Sequence, residues 1–166
     1  MKDYVMHFIT QIFIQGRNNM IGNINYCRAK RSDNGEWVKG YYTYYPLQFG
    51  NEVEGTEHCI RNTSTNPNKL YFVDGETICR CTGKEYMDSD IAYEGDIFES
   101  QVCGLLMVLR YGTYQAFCPV DREYMDSVGF YAECEGLPNM PIGDLKEYAL
   151  KRGNIFDNPE LLKKEE

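Results

Sequence analysis

Cys79 and Cys81 stand two apart, and in a strand such residues face the same side, so two thiolates could meet one metal ion. Structural zinc sites, however, place two to four residues between their cysteines, where this pair has one, so that a turn aims both sulfurs at the metal, and they need a second pair of ligands. The two histidines, His7 and His58, are isolated in sequence. The expected role of these cysteines is therefore in a core or on a strand face, with no metal and no cofactor. Glu94 and Asp96 flank Gly95 and could be read as paired carboxylates for acid/base work. A Gly-Asp step ahead of Ile97-Phe98 is also the ordinary chemistry of a tight turn entering a strand, and there Asp96 is expected to accept backbone N–H groups. A cysteine nucleophile would need a base such as His58, and no spacing joins the two. Gly-x-Ser-x-Gly, a phosphate-cradling glycine loop and His-Glu-x-x-His are all absent. No catalytic residue is assigned, and the reading leans away from an enzyme.

Tyr41, Tyr42, Tyr44 and Tyr45 precede Pro46 in one run. Alternation along a strand would bury one pair and expose the other, and exposed tyrosines make good contact surfaces. These four are the candidate binding surface, set against simple packing of a β-barrel. Stacking on single-stranded nucleic acid would want interleaved cations, and only Lys39 is near.

The elements that must position these residues are mostly strands. Ser32-Asp33-Asn34-Gly35 carries an Asn-Gly pair between two strand-like runs over 24–43, the signature of a tight hairpin. Gly50 to Lys69, rich in Glu and Asn, is poorly patterned, and within it Arg61 to Asn68 reads as a long loop. Tyr71-Phe72-Val73 and Thr77 to Cys81 read as short strands around Asp74-Gly75, followed by a polar connection from Thr82 to Asp90. Tyr93 to Phe98 reads as a turn feeding a strand. Val102 to Tyr111 is nearly continuous in apolar character and reads as a buried strand, turning at Arg110 to Tyr114 to pair with Gln115 to Val120. Ile142, Leu145, Tyr148 and Ala149 fall at helical spacing, with Asp144 near the start and Gly153 as a stop. Val5 to Ile14 has the β-branched and aromatic content of a strand, and the tail from Lys163 to Glu166 is charged.

Composition narrows the classes. At 166 residues and 43% hydrophobic content, one domain with a real core is the default. A net charge of -8 repels phosphate, which makes generic nucleic-acid binding an unfavoured function. The apolar runs fall far short of the roughly 18 residues of a spanning helix, so no membrane partner is expected. Seven cysteines set mostly in apolar runs look like small buried hydrophobes of a reduced, intracellular protein.

Three stretches carry a resemblance. Arg28 to Tyr42, Val73 to Gly83 followed by Tyr93-Glu94-Gly95-Asp96-Ile97, and Gly153 to Leu162, with Val128 to Tyr131 ahead of the last, together resemble the YopX proteins of bacteriophages and prophages. The sequence departs from the family pattern at Lys84, at Asp88-Ser89 and at Lys151-Arg152. The resemblance implies a mainly β (α+β overall) fold: a distorted small SH3-like β-barrel with a smaller mixed α/β C-terminal part. It implies a domain over 20–166, β-rich to about residue 120 and mixed over 121–162, with 1–19 as an N-terminal extension. It puts a strand at Leu150 to Phe156, beside the helix that periodicity favours before Gly153. It implies a phage or prophage accessory protein in the bacterial cytoplasm, but no activity, because none is established for the family. The resulting expectation is a non-enzymatic binding or assembly module, with a nucleic-acid-linked phage regulator and an enzyme of unknown class as alternatives. A strand-rich chain must also cover its sheet edges, which makes a homo-oligomer the expected partner.

Overall fold

The structure is a computed structural model that describes residues 25–49, 52–62, 69–118 and 120–163. The expected strand at Val5 to Ile14, and the extension over 1–19 that holds it, lie outside the described residues, as does the tail beyond Lys163.

The chain is mainly β and forms two antiparallel sheets. The six-stranded sheet runs in the order β4-β3-β2-β1-β5-β6, from β1 (Tyr26–Lys30), β2 (Trp37–Phe49), β3 (Glu52–Asn62), β4 (Lys69–Phe72), β5 (Cys79–Glu85) and β6 (Ile91–Tyr93). The five-stranded sheet runs β10-β9-β8-β7-β11, from β7 (Asp96–Ser100), β8 (Leu106–Cys118), β9 (Glu123–Cys134), β10 (Met140–Pro141) and β11 (Ala149–Asn154). The two sheets do not close into a barrel. Helix is confined, among the described residues, to 3-10 turns at Gly75–Thr77, Leu145–Glu147 and Pro159–Leu162.

Local chemistry accounts for the first hairpin. Gly35 takes a φ of 73° that a side chain would resist, and the Asn34 carboxamide accepts from the Glu36 amide at 3.0 Å. The turn pairs Lys30 with Trp37 and carries the register back to Tyr26 opposite Tyr41. Gly40 is needed for another reason. A Cβ there would lie 2.2 Å from the Arg61 carbonyl oxygen, so β3 can lie against β2 only where β2 has no side chain.

Three expectations are corrected. The poorly patterned stretch over 50–69 holds β3, which pairs with β2 from Tyr41 opposite Arg61 to Phe49 opposite Glu52; Arg61 and Asn62, read as the start of the loop, end that strand, and 63–68 lie outside the described residues. Arg110 to Tyr114 is not a turn: β8 runs through it to Cys118, and the reversal falls at 119–122, where Arg122 has a φ of 57°. The periodicity over 142–149 marks a 3-10 turn and the start of β11 in place of an α-helix; the strand implied for 150–156 is present as Ala149–Asn154. The four spaced residues do pack together, since Leu145 and Ala149 are buried with Phe98, Met107 and Leu109, and Ile142 and Tyr148 lie against them.

Three apolar clusters fill the molecule. One lies on the β7–β9 face just described. The other two occupy opposite faces of the six-stranded sheet, Cys27, Ala29, Val38, Ile60 and Val73 on one, and Tyr26, Cys79 and Tyr93 with Trp37, Tyr41 and Phe156 on the other.

Gly40→Ala is expected to destabilise the fold by about 1–3 kcal/mol, because the new methyl meets backbone that cannot rotate away. Urea unfolding of the variant beside the parent checks it. An unchanged midpoint would show that β2 and β3 can separate freely there.

Candidate functional site

The sequence motifs converge on one ionic junction between the sheets. Arg28 of β1 places Nη2 2.5 Å from Asp96 Oδ1 of β7, and Lys151 Nζ of β11 stands 2.9 Å from the same oxygen. The other carboxylate oxygen accepts the Tyr93 amide at 2.9 Å, the turn role expected for Asp96. Asp96 is fully buried, and Arg28 is 6% exposed. The Arg28 guanidinium lies between two aromatic faces, 4.7 Å from the Trp37 centroid and 5.0 Å from that of Tyr93. Cation–π contacts of this kind supply part of what the cation loses on leaving water.

A second link runs beside the first. Asp157 receives Lys30 Nζ at 2.6 Å, Trp37 Nε1 at 2.7 Å and Asn154 Nδ2 at 2.8 Å. Asn154 builds the loop that presents Asp157, its Oδ1 accepting the amides of Phe156 and Asp157 at 3.0 Å each. Burial alone would raise the Asp157 carboxyl, but the hydrogen bonds from Asn154, Lys30 and Trp37 outweigh it and hold the group at about 2.

This junction leaves no free group for acid/base chemistry. Glu94 is not paired with Asp96 in function: it meets Arg80 Nη1 at 2.9 Å, while Asp96 is taken up by Arg28 and Lys151. Cys79 is pushed up to about 11 by burial and donates to the Thr77 carbonyl at 3.4 Å; burial pushes Cys27 up to about 12. These are protonated thiols, poor as nucleophiles or metal ligands. No group of three or more His, Cys, Asp or Glu able to hold a metal ion occurs among the described residues.

The tyrosine run divides by strand alternation. Tyr41 is half-buried with its ring edge-on to Tyr26 at 5.3 Å. Tyr42 and Tyr44 share the other face, 5.2 Å apart, and both meet His58 of β3; the Tyr42 hydroxyl and His58 Nδ1 are 2.7 Å apart. Tyr44 is exposed and Tyr42 half-buried. Tyr45 stands opposite Glu57 in the register, and its side chain lies outside the described residues. The run is thus a ring cluster on His58 with one exposed edge. An open groove of about 620 Å³ beside His58 is bounded by Arg31, Lys69, Tyr71 and Phe72.

The larger exposed apolar surface lies where the sequence was read as a turn. β8 and β9 pair from Met107 opposite Cys134 to Cys118 opposite Glu123. β7 covers β8 only at Leu106 to Val108, and β10 covers β9 only at Tyr131 and Ala132. From Arg110 and Phe130 outward the two strands form a ribbon which, among the described residues, pairs with no other strand. Its register places Tyr111, Thr113, Phe117, Tyr124, Val128 and Phe130 on one face, with the hydrogen-bonded pair Gln115 and Asp126 in the middle of it. Val128 is 72% exposed, Tyr124 56% and Phe117 54%. On the opposite face Gly112 pairs with Gly129, and the rings of Tyr114 and Tyr131 stack at 4.9 Å across the space these glycines leave. The signal available in sequence was the alternation from Tyr124 to Phe130, which Gly112 and Gly129 interrupt.

Among the described residues no helix is long and apolar enough to cross a membrane. The class of protein these observations define is a two-sheet, mainly β chain with an ionic junction and a protruding apolar ribbon. Compared with protein-family models, curated proteins and solved structures, the chain matches none of them.

Asp96→Asn is expected to cost about 3–5 kcal/mol, because it leaves Arg28 buried without its counter-charge. Urea unfolding reads this directly, and a loss under about 1 kcal/mol would show that the pair does not join the sheets. Asp157 has a folded value below its ordinary 3.8, so its stabilisation is complete above that pH and is lost as pH falls toward about 2. Thermal melts of the parent and of Asp157→Asn should therefore differ at pH 6 and converge across that window. A difference that stays constant between pH 6 and pH 3 would contradict the assignment.

Proposed function

We propose that this chain is a non-enzymatic assembly module that pairs with a second copy of itself through the β8–β9 ribbon. The observation that carries the reading is a two-stranded ribbon with exposed Phe117, Tyr124 and Val128 whose backbone edges, among the described residues, pair with no other strand. A lone hairpin is marginal in water, and open edges are templates for further strand pairing.

Charge argues for the second copy. The chain carries a net charge of -8, so two copies repel over most of their surfaces. Over 111–118 and 124–131 the only charged residue is Asp126, whose carboxylate takes a hydrogen bond from Gln115 across the ribbon. An aromatic-rich patch with a single charge in an acidic molecule is what the centre of a protein interface looks like, and a ribbon meeting its own copy about a twofold axis is self-complementary.

The resemblance to the YopX proteins extends this reading to an accessory role for a phage or prophage in the bacterial cytoplasm. It also takes the six-stranded sheet as an opened counterpart of the small SH3-like barrel that the family implies. A second reading, a nucleic-acid-linked regulator, draws on the groove at His58, where Arg31 and Lys69 each stand 4.8 Å from the Tyr71 centroid. Asp33 and Glu57 border the same groove and oppose phosphate. Binding of single-stranded oligonucleotides that weakens steeply with salt would favour this second reading.

Native mass spectrometry and light scattering of the full chain test the assembly. The parent is expected as a dimer that persists at high salt, and the combined Phe117→Ser, Tyr124→Ser and Val128→Ser variant as a monomer that still unfolds cooperatively, with a midpoint that no longer depends on protein concentration. A parent chain that stays monomeric at tens of micromolar overturns the reading.

A further inference from the structure

The five-stranded sheet holds a small apolar slot that neither the ionic junction nor the exposed ribbon face uses. Its volume is about 320 Å³, and Val102, Leu105, Met107, Leu137 and Met140 line it together with two cysteines, Cys103 and Cys134. The two thiols come from different elements. Cys103 sits in the exposed turn between β7 and β8, and Cys134 lies on β9 opposite Met107, where it is 8% exposed within the apolar cluster.

Their environments differ in the way that attacking and resolving thiols differ. The turn is tied by the Gly104 amide to the Ser100 carbonyl at 2.7 Å and by the Ser100 amide to the Leu105 carbonyl at 3.0 Å. Hydrogen bonding to the Ser100 side chain and the Leu105 backbone lowers the thiol of exposed Cys103 from its ordinary range. Burial, with the neighbouring Cys103 adding to it, raises Cys134. An accessible thiolate attacks, and a sheltered thiol beside it resolves the product; redox-responsive cysteine pairs have this arrangement. The remaining described cysteines offer poorer targets. Cys27, Cys59 and Cys79 are buried, Cys81 is half-buried with its thiol raised by that burial, and Cys118 donates to Asp121 at 3.2 Å.

We propose that Cys103 and Cys134 form a thiol modification site for low-molecular-weight disulfides, with Cys103 attacking and Cys134 resolving. The Cys103 thiolate attacks one sulfur of the reagent, breaks its S–S bond, forms a mixed disulfide and releases one thiolate. Cys134 then gives up its proton, attacks the Cys103 sulfur and displaces the second thiolate, leaving a Cys103–Cys134 disulfide. Two protein thiols are oxidised by two electrons, and the reagent is reduced to two thiols, which take up the protons. The new bond would fasten the β7–β8 turn to β9 at the root of the ribbon and close the slot.

The test treats the native full-length chain with glutathione disulfide, quenches with acid, and maps the products by intact mass and peptide mass spectrometry. The parent is expected to lose two hydrogens without retaining glutathione, with Cys103 and Cys134 in one cross-linked peptide pair. Cys134→Ala, a substitution that keeps a small side chain next to Ala132, is expected to stop at one stable glutathione adduct on Cys103. Cys103→Ser, which changes only an exposed turn, is expected to block both products. The proposal is overturned if the parent accumulates the adduct without the cross-link, if Cys103 is modified no faster than Cys118, or if Cys103→Ser leaves the cross-link at Cys134 intact.

Discussion

The contact on which the arrangement of the two sheets depends is the buried pair between Arg28 and Asp96. It joins the middle of β1 to the first residue of β7, and Lys151 brings β11 to the same oxygen. Buried ion pairs are seldom net stabilisers against well-packed apolar replacements, because both charges must leave water. Their consequence is specificity: any docking of the sheets that separates the pair strands a guanidinium in the core. Arg28 is held under tension even so, since its Nε is buried and finds no hydrogen-bond partner. Trp37 and Tyr93 on its two faces, with Asp96 at its end, leave the cation a single position it can occupy without larger cost.

The turn from Tyr93 to Asp96 explains why the pair can form. Gly95, at a φ of 78°, receives the Ile155 amide on its carbonyl at 2.9 Å and donates to the Leu109 carbonyl at 2.8 Å. One reversal therefore touches β1 through Asp96, β8 through Leu109 and the end of β11 through Ile155. Gly153 and Asn154 then shape the loop that returns Asp157 to Lys30 and Trp37. Residues from three stretches singled out in sequence, Arg28 to Tyr42, Tyr93 to Ile97 and Gly153 to Leu162, thus meet at one place and hold two sheets together there, while Val128 to Tyr131 lies on the ribbon. That is a structural reason for their spacing, independent of any ligand.

Part of this was legible in the sequence. Asn34-Gly35 and Gly95-Asp96 act through their own backbones, so local reasoning found both turns. β3 was not legible, because Glu52, Glu54, Gly55 and Glu57 look like a loop when the ladder to β2 is out of view; hydrogen bonding to a neighbouring strand supplies what apolar patterning does not. Gly112 misled in the opposite direction. Glycine within an apolar run reads as a break, yet here it faces Gly129 across the ribbon, and Tyr114 and Tyr131 fill the gap. The spacing over Ile142 to Ala149 located residues that do share a core, but the hydrogen bonds of that core belong to a strand. Of the four tyrosines singled out as a surface, Tyr44 is exposed while Tyr42 is partly spent on His58.

Several acidic side chains are committed to neighbouring cations. Glu85 meets Lys146, Glu99 meets Arg152, Glu133 meets Arg110 and Glu94 meets Arg80, each pair crossing between strands or between a strand and a turn. Exposed pairs of this kind contribute little to stability, but they neutralise acidic side chains that would otherwise crowd an acidic molecule. Against that background the ribbon is the exception, because it spends almost no charge and leaves aromatic rings in water. Among the described residues, the outer half of the ribbon contributes nothing to the three apolar clusters that fill the molecule. That exposed, ring-bearing face is the physical ground on which the proposed pairing of two copies rests.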